Sequence, residues 1–471
     1  MQATLNKIPD RYLIGFSLLF GMAYFGYYII TMDWVNGGGD SYNHFLFAHY
    51  APQHPELLLH HWAKPLFTLL LVPFAMGSIK GAEVFNVLLA TGCGLMVFGM
   101  ARKLGYRNGW LALLLLLFSP IVYIHVFSAL TEPLGAFILT LGLYLTLDKK
   151  YIWGAVVLSF LPIVRTETFI FVPIWITYFL LVRQWKAIPF LASGFVIYSL
   201  VGGWYYGDWL WLINQNPYQG AADIYHSGSL MHFADSYQHI TQLPLGLLML
   251  IGIVALLPWK GKASWSQPKF WFEWQVIFIA FGYFSAHSVV WWLGIGGSAG
   301  LIRVMLVIAP LLVLLGIKGF DILSAPLKKD WMVKVFGLAI IALLLYYDMR
   351  QYRLPQQLHP EDELVQSLLP KAQEWKTEDN RVYYAHPVIP YFMELNPYDK
   401  SETMNLIENG GAMLGEFQPG DVFIWDSHFC PNEVRLTDNH MLVEFGLTLT
   451  ETYEKTWEPD GKFEIRIYRK E

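Results

Sequence analysis

The chain has 471 residues, of which 55% are hydrophobic, 17% aromatic and only 15% charged. A soluble globular enzyme carries roughly a quarter charged residues, so this composition excludes that class, along with disordered and fibrous chains. The formal net charge of −5 argues against nucleic acid as a partner, because binding a phosphate backbone needs a basic face. Cys93 lies in an apolar run and Cys430 in a polar stretch, so no disulfide is expected between them.

Charge is spread unevenly. Residues 349–471 hold 12 basic and 22 acidic side chains, while residues 1–348 hold 20 basic and 15 acidic. A boundary is therefore expected near Tyr352–Pro360. Residues 1–350 read as a membrane-embedded unit with outer loops at 31–81 and 204–242, and residues 351–471 as a small water-soluble α/β domain.

Apolar runs suited to crossing a bilayer lie near 12–30, 82–101, 110–127, 133–147, 151–164, 168–182, 188–203, 243–258, 271–293, 304–317 and 333–348. The run at 65–79 is ambiguous, being short and holding Pro73. If it does not cross, the loops on the side of the N-terminus hold 16 Lys and Arg against 4 on the other side, which is the positive-inside pattern. If it crosses, the pattern inverts. It is therefore expected to be a partly immersed helix on the outer face. The fold class is an α-helical polytopic membrane protein with about 11 transmembrane helices and a small C-terminal α/β soluble domain outside. The first run is too long for a cleaved signal peptide and no small-x-small cleavage site follows it. No internal repeat is visible, which does not favour a transporter built from repeats.

With this topology the unusual polar residues share the outer face. In the first outer loop Gly37-Gly38-Gly39 supplies a turn that glycine tolerates easily, and Asp40 follows at once. Ser41–Tyr50 reads as a short amphipathic helix with His44 one turn after Asp40. Asp40 is either the N-cap of that helix or a reactive acid at the membrane surface. His49 and His54 are expected to hydrogen-bond lipid headgroups. In Ser128–Pro133, Glu132 is an acid at membrane depth, where a charge costs roughly 2.5–3.5 kcal/mol unless it is paired; the alternative is a helix-start acid ahead of Pro133. Arg165-Thr166-Glu167 breaks two runs, as a structural ion pair or as substrate ligands. Arg303 follows the glycine-rich loop 294–300, and its planar fork suits a phosphate; snorkelling is the alternative. Residues 204–218 are dense in Trp and Tyr and fit a helix in the headgroup plane. His226, His232 and His239 follow in a stretch long enough for a lid, without metal-ligand spacing.

Several of these segments match a known pattern. GGGDSYNHF, WAKPLF, SALTEPL, VRTETFIF, LIRVMLVIAPLLVLLG and YGDWLWLINQNPY, in this order, resemble motifs of the GT-C superfamily of polyprenyl-phosphate-sugar-dependent glycosyltransferases, such as protein O-mannosyltransferases and the aminoarabinose transferase of lipid A. Thr166 stands where the family usually has Pro, and Val304 where it usually has Tyr. The resemblance implies an inverting, single-displacement transfer with Asp40 as catalytic base. It puts His44, Lys64, Glu132, Arg165, Glu167 and Arg303 around the substrates. The implied donor is a polyprenyl-phosphate-linked sugar, a mannose-like hexose or a pentose. The acceptor is a glycan, lipid or protein on the non-cytoplasmic face. Because no endoplasmic-reticulum retrieval signal is seen in the sequence, the expected setting is a bacterial inner membrane. No cofactor is fixed by the residues, and a divalent metal stays open.

In the C-terminal stretch, strands are expected at Arg381–Ala385, Asp421–Trp425, Tyr453–Trp457 and Phe463–Arg469, the last two joined by an Asp460-Gly461 turn, and a helix at Glu361–Lys376. Contiguous Asp426-Ser427-His428 is unsuited to a triad. Two other functions fit the composition: a flippase or transporter of lipid-linked saccharide, and a non-catalytic envelope assembly protein.

Overall fold

The computed structural model describes residues 9–215, 217, 227–257, 267–295, 299–376, 380–409, 417–437, 444–459 and 461–471. Helices follow the apolar runs. α1 (Asp10–Thr31) leads into α2 (Gly38–Tyr50) and α3 (Pro65–Ala75), and α4 (Lys80–Lys103) returns. α5 (Ala112–Leu117) and α6 (Pro120–His125) form one run interrupted at Pro120, which has no N–H to continue the helix. α7 (Glu132–Leu147), α8 (Tyr151–Leu158), α9 (Leu161–Val164), α10 (Phe171–Leu181) and α11 (Ser193–Tyr206) follow. Three single turns, α12 (Trp211–Asn214), α13 (His232–Asp235) and α14 (Tyr237–Ile240), precede α15 (Gln242–Leu256), α16 (Pro268–Leu293), α17 (Ala309–Ser324) and α18 (Asp330–Tyr352).

Each of the eleven expected runs is helical over most of its length. Among the described residues six helices are long and apolar enough to cross a bilayer by themselves, and the other runs are shorter or broken. Bulky apolar side chains point outward along them, Leu19, Ile30, Trp204 and Phe281 among them, as a lipid-facing surface requires. α3 has 11 residues, about 16 Å, too short to span. Of the helix expected over 204–218, residues 204–206 end α11, Gly207 enters the left-handed region at φ +69° and breaks the run, and α12 is one further turn, residues 216 and 218 lying outside the described residues. His226 and residues 296–298 lie outside the described residues.

The two ends of the bundle differ in chemistry. At the Lys103 end of α4, Asp148 pairs with Lys103 (2.5 Å) and Lys150 (3.1 Å). Asp321 there accepts the backbone N–H groups of Arg107 (2.7 Å) and Asn108 (3.0 Å). At the other end, Lys80 donates to the carbonyl of Met32. The loops around 103–108 and 148–150 and the Asp321 end of α17 thus meet at one end, and the loop of α2 and α3 lies at the other.

The C-terminal domain comprises α19 (Pro360–Ser367), α20 (Leu369–Trp375), β1 (Val382–Tyr384), α21 (Val388–Phe392), β2 (Thr403–Asn405), α22 (Leu406–Asn409), β3 (Val422–Asp426), α23 (Phe429–Asn432), β4 (Leu447–Trp457) and β5 (Gly461–Lys470). The sheet order is β2-β1-β3-β5-β4. β1 runs parallel to β2 and β3, and β5 is antiparallel to β3 and β4. The terminal hairpin is as expected. β2 escaped the sequence reading, since three residues without an apolar alternation give no strand signal. The helix expected over 361–376 is split at Leu368, just before Pro370 in α20.

This domain sits on α2. The Tyr42 hydroxyl donates to Asp362 Oδ2 (3.2 Å), and the Tyr42 ring packs on Tyr391 (4.9 Å between centroids). Tyr50 donates to the carbonyl of Leu395 (3.4 Å). Buried residues of the sheet and of the membrane helices belong to one continuous apolar core.

α15 and α17 cross in backbone contact. A Cβ on Gly319 would lie 1.9 Å from the carbonyl oxygen of Leu248, and one on Gly252 would lie 2.0 Å from that of Leu315. Overpacking a buried contact costs about 1–3 kcal/mol. Gly319→Ala is therefore expected to lower stability by at least that range in a detergent unfolding titration. Gly15→Ala, whose Cβ meets nothing within 4 Å, leaves the midpoint within experimental error.

Candidate active site

The acid of the first loop is placed by backbone geometry. Gly37 (φ +91°) caps α2 and Gly38 (φ +51°) opens it, and Gly39 is needed for space, because a Cβ there would lie 3.0 Å from the Pro387 ring. Asp40 therefore falls inside the first turn of α2, where it is not an N-cap. This loop is stitched to the Ser128–Glu132 loop. The N–H of Asn36 donates to the carbonyl of Phe127 (2.7 Å), and the N–H of Ala129 donates to Ser41 Oγ (3.2 Å). Asn86 of α4 donates to the carbonyl of Ser128 (2.7 Å). The stitches fix the position of Asp40 relative to Glu132.

Five of the singled-out residues form one charged network. Arg165 donates from Nε to Glu167 (2.7 Å) and from Nη1 to Glu132 Oε1 (2.8 Å) and Thr131 (3.2 Å). Arg303 lies with Nε 3.3 Å from the same Glu132 oxygen, and its other end holds Asp40. Glu132 thus sits between two guanidiniums. Tyr283 of α16 adds its hydroxyl to Glu167 at 3.0 Å. Exposure separates the acids: the Glu132 side chain is 1% exposed, whereas that of Asp40 is 42% exposed. Glu132 is enclosed by its partners, and Asp40 is the more accessible carboxylate of the two.

Lys64, 4% exposed, joins from the third side, donating to Thr166 Oγ1 (3.3 Å). Its backbone is left-handed at φ +65°, a strained conformation for lysine immediately before Pro65. It lies in the loop ahead of α3, outside the spans. Burial lowers its ammonium to about 8, while Glu167 pulls the other way. Lys64, Arg165 and Arg303 thus face Asp40, Glu132 and Glu167, three charges of each sign.

His44 is buried beside this network. Its ring stacks on Trp62 (4.8 Å) and meets Phe67 edge-on, and its Nδ1 has no hydrogen-bond partner among the described residues. His49 and His54, both half-buried, each have partners within the protein. His49 Nδ1 meets the carbonyl of Ala75 (2.7 Å), and His54 lies 3.4 Å from Glu56 and 3.5 Å from Asn396. His232 bonds the carbonyl of Gly300 (2.7 Å), in the segment leading to Arg303, and His239 bonds Gln351 (2.6 Å) at the end of α18. Asp426 is occupied by the backbone N–H of His428 (3.0 Å) and the thiol of Cys430 (3.3 Å), so no triad forms there.

A cavity of about 520 Å³ opens beside Arg303, lined by Trp34, Asn36, His125, His239, Tyr352 and Gln356 among others. An apolar wall with one guanidinium at its rim suits an amphiphile that carries a phosphate. Sequence reasoning missed Asn36, Asn86, Ser128, Tyr283 and Asp362. The polar pair Tyr283 and His287, one helical turn apart in an apolar span, was the one available signal.

No protein-family model matches the chain, and no curated protein matches it by sequence. Solved structures do match. ArnT from Cupriavidus metallidurans bound to undecaprenyl phosphate aligns with a TM-score of 0.62 at 10% identity, over 96% of this chain and 97% of that one. The apo state of ArnT aligns with a TM-score of 0.52 at 12% identity, over 96% and 98%. The arabinofuranosyltransferase AftD from Mycobacteria aligns with a TM-score of 0.50 at 13% identity, over 98% of this chain and 40% of its own. The alignment with ArnT takes in nearly the whole of both chains, helices and C-terminal domain together, so this protein has the fold seen in ArnT.

Proposed function

We propose that the protein is a glycosyltransferase that moves a sugar from a polyprenyl-phosphate carrier to an acceptor hydroxyl. The observation that carries the reading is the contact of Asp40 with Arg303 at the rim of an apolar cavity. The undecaprenyl phosphate bound to structurally similar ArnT supports a lipid-linked donor. The excess of Lys and Arg on the opposite loops supports a reaction on the non-cytoplasmic face, with the C-terminal domain on that side; the setting we propose is a bacterial inner membrane. The sugar is a hexose of the mannose type or a pentose, and the acceptor is a glycan, lipid or protein.

In this reading Arg303 guards the base. While it holds Asp40, that carboxylate is engaged by the guanidinium and not by an acceptor hydroxyl. A donor phosphate entering between Arg303 and Lys64 competes for the guanidinium and releases Asp40. Asp40 takes the acceptor O–H proton, the oxygen forms its bond to the anomeric carbon, and the bond from that carbon to the phosphate oxygen breaks on the opposite face. The electron pair leaves with the polyprenyl phosphate, whose charge Arg303 and Lys64 stabilise. One displacement inverts the anomeric centre. Glu132, fixed between Arg165 and Arg303, keeps the guanidinium aimed, and His44 packs behind Asp40.

Three measurements test this assignment. Asp40→Asn is expected to lower kcat by about 10²–10⁴-fold in purified enzyme, as loss of a general base does; turnover near wild type removes the role. Arg303→Lys keeps the charge and loses the planar fork. It should raise the donor KM about tenfold or more, within the range for hydrogen bonds to charged groups, with the acceptor KM little changed. Lys64 is cationic below about pH 8 and neutral above it. Accordingly kcat/KM for the donor should decline as pH rises through about 8, and Lys64→Arg should abolish that alkaline limb. An equal decline in both enzymes assigns the limb elsewhere.

A further inference from the structure

Away from the charged network, three side chains of the C-terminal domain converge. Glu361 Oε2 lies 3.1 Å from His428 Nδ1 and 3.5 Å from His386 Nε2, and the ligand atoms of the three residues all lie within 4.8 Å of one another. A tetrahedral zinc ion with bonds of about 2.05 Å separates its ligand atoms by roughly 3.3–3.4 Å. Those two separations bracket that edge, and the third, between the imidazole nitrogens, is within 4.8 Å. Two imidazoles and one carboxylate favour a borderline transition metal over calcium or magnesium, which prefer oxygen donors.

The place in the fold points the same way. β1 and β3 are adjacent parallel strands in the order β2-β1-β3, so the chain leaves β1 toward one edge and β3 toward the other. The crevice at the carboxyl ends of two such strands is the usual ligand position in open α/β sheets. His386 stands two residues after β1 and His428 two residues after β3. His386 is buried, held edge-on between Phe429 (4.7 Å) and Phe463 (5.4 Å). The His428 side chain is 51% exposed and leaves a path for an ion and a water ligand.

We infer that Glu361, His386 and His428 form a binding site for a zinc-class divalent cation, which fastens the C-terminal domain over the turn that carries Asp40. The connection is short. Phe429, packed on both histidines, and Pro387, next to His386, are the groups that crowd Gly39. Asp362, next to Glu361, accepts from Tyr42 of α2. Entry of the ion requires one rearrangement. His386 Nδ1 accepts the N–H of Val388 (3.3 Å), so Nε2 carries the hydrogen toward Glu361. Coordination through Nε2 transfers that hydrogen to Nδ1 and gives up the Val388 bond.

The test uses the full-length chain in detergent and needs no sugar donor. After chelation and exposure to zinc, wild type should retain about one zinc per chain by elemental analysis, and its Tm should rise with zinc and fall with chelator. Cobalt in place of zinc should give the visible absorption of a low-coordinate site. His428→Ala, at a half-exposed position, and Glu361→Gln should fold, lose the metal and lose the zinc response of Tm. Asp40→Asn should keep both, so loss of transfer with metal intact bears on the enzyme reading alone. Wild type that binds no zinc, even if Glu361→Gln lowers its Tm, reduces the cluster to a hydrogen-bonded latch and overturns the site. Variants that keep a full equivalent of zinc overturn it equally.

Discussion

One buried carboxylate governs the arrangement of the charged end of this molecule. Glu132 is almost fully enclosed at the start of α7, and its Oε1 lies between Arg165 and Arg303. A lone charge at that depth is costly, and each partner is desolvated in turn, so the members are stable as a set rather than singly. The demand for pairing draws four separate stretches of chain to one point: the entry to α7, the break between α9 and α10, the segment before α17 and the first turn of α2. The orientation of Arg303 toward Asp40 follows from Glu132 occupying its other side.

Backbone hydrogen bonds complete what charge begins. The bonds between the Asn36–Ser41 and Phe127–Ala129 stretches set Asp40 at a fixed height above Glu132. Lys64 is brought in by a left-handed residue just ahead of a proline-started helix. Strain, pairing and stitching therefore converge on the same few side chains, and a cavity of mixed apolar and polar lining opens beside them.

Much of this was legible in the amino-acid sequence because acids and guanidiniums stand out against apolar runs. Asp40, Glu132, Arg165, Glu167 and Arg303 were conspicuous for that reason, and the structure places all five in contact. The helical runs were legible from length and apolarity. What failed did so for physical causes. Asn36, Asn86 and Ser128 act through bonds to backbone distant in sequence, for which no local spacing exists. His49 and His54 carry no mark that tells a lipid-facing imidazole from one with partners within the protein. The aromatic density of 204–218 suggested a helix that Gly207 interrupts. Glu361, His386 and His428 lie 67 positions apart at the extremes, on elements that only the sheet topology makes neighbours.

The shared apolar core has an engineering corollary. Tyr42 and Phe45 of α2 are covered by Tyr391 and Phe392 of the C-terminal domain. Cutting the chain after Tyr352 would not yield a trimmed protein with an intact membrane half, because it would bare this aromatic face to water on the very helix that bears Asp40. A chimera that borrowed the C-terminal sheet from a distant homologue would have to import the matching face of α2 as well. The two segments, more than three hundred positions apart, are in effect a single packing unit.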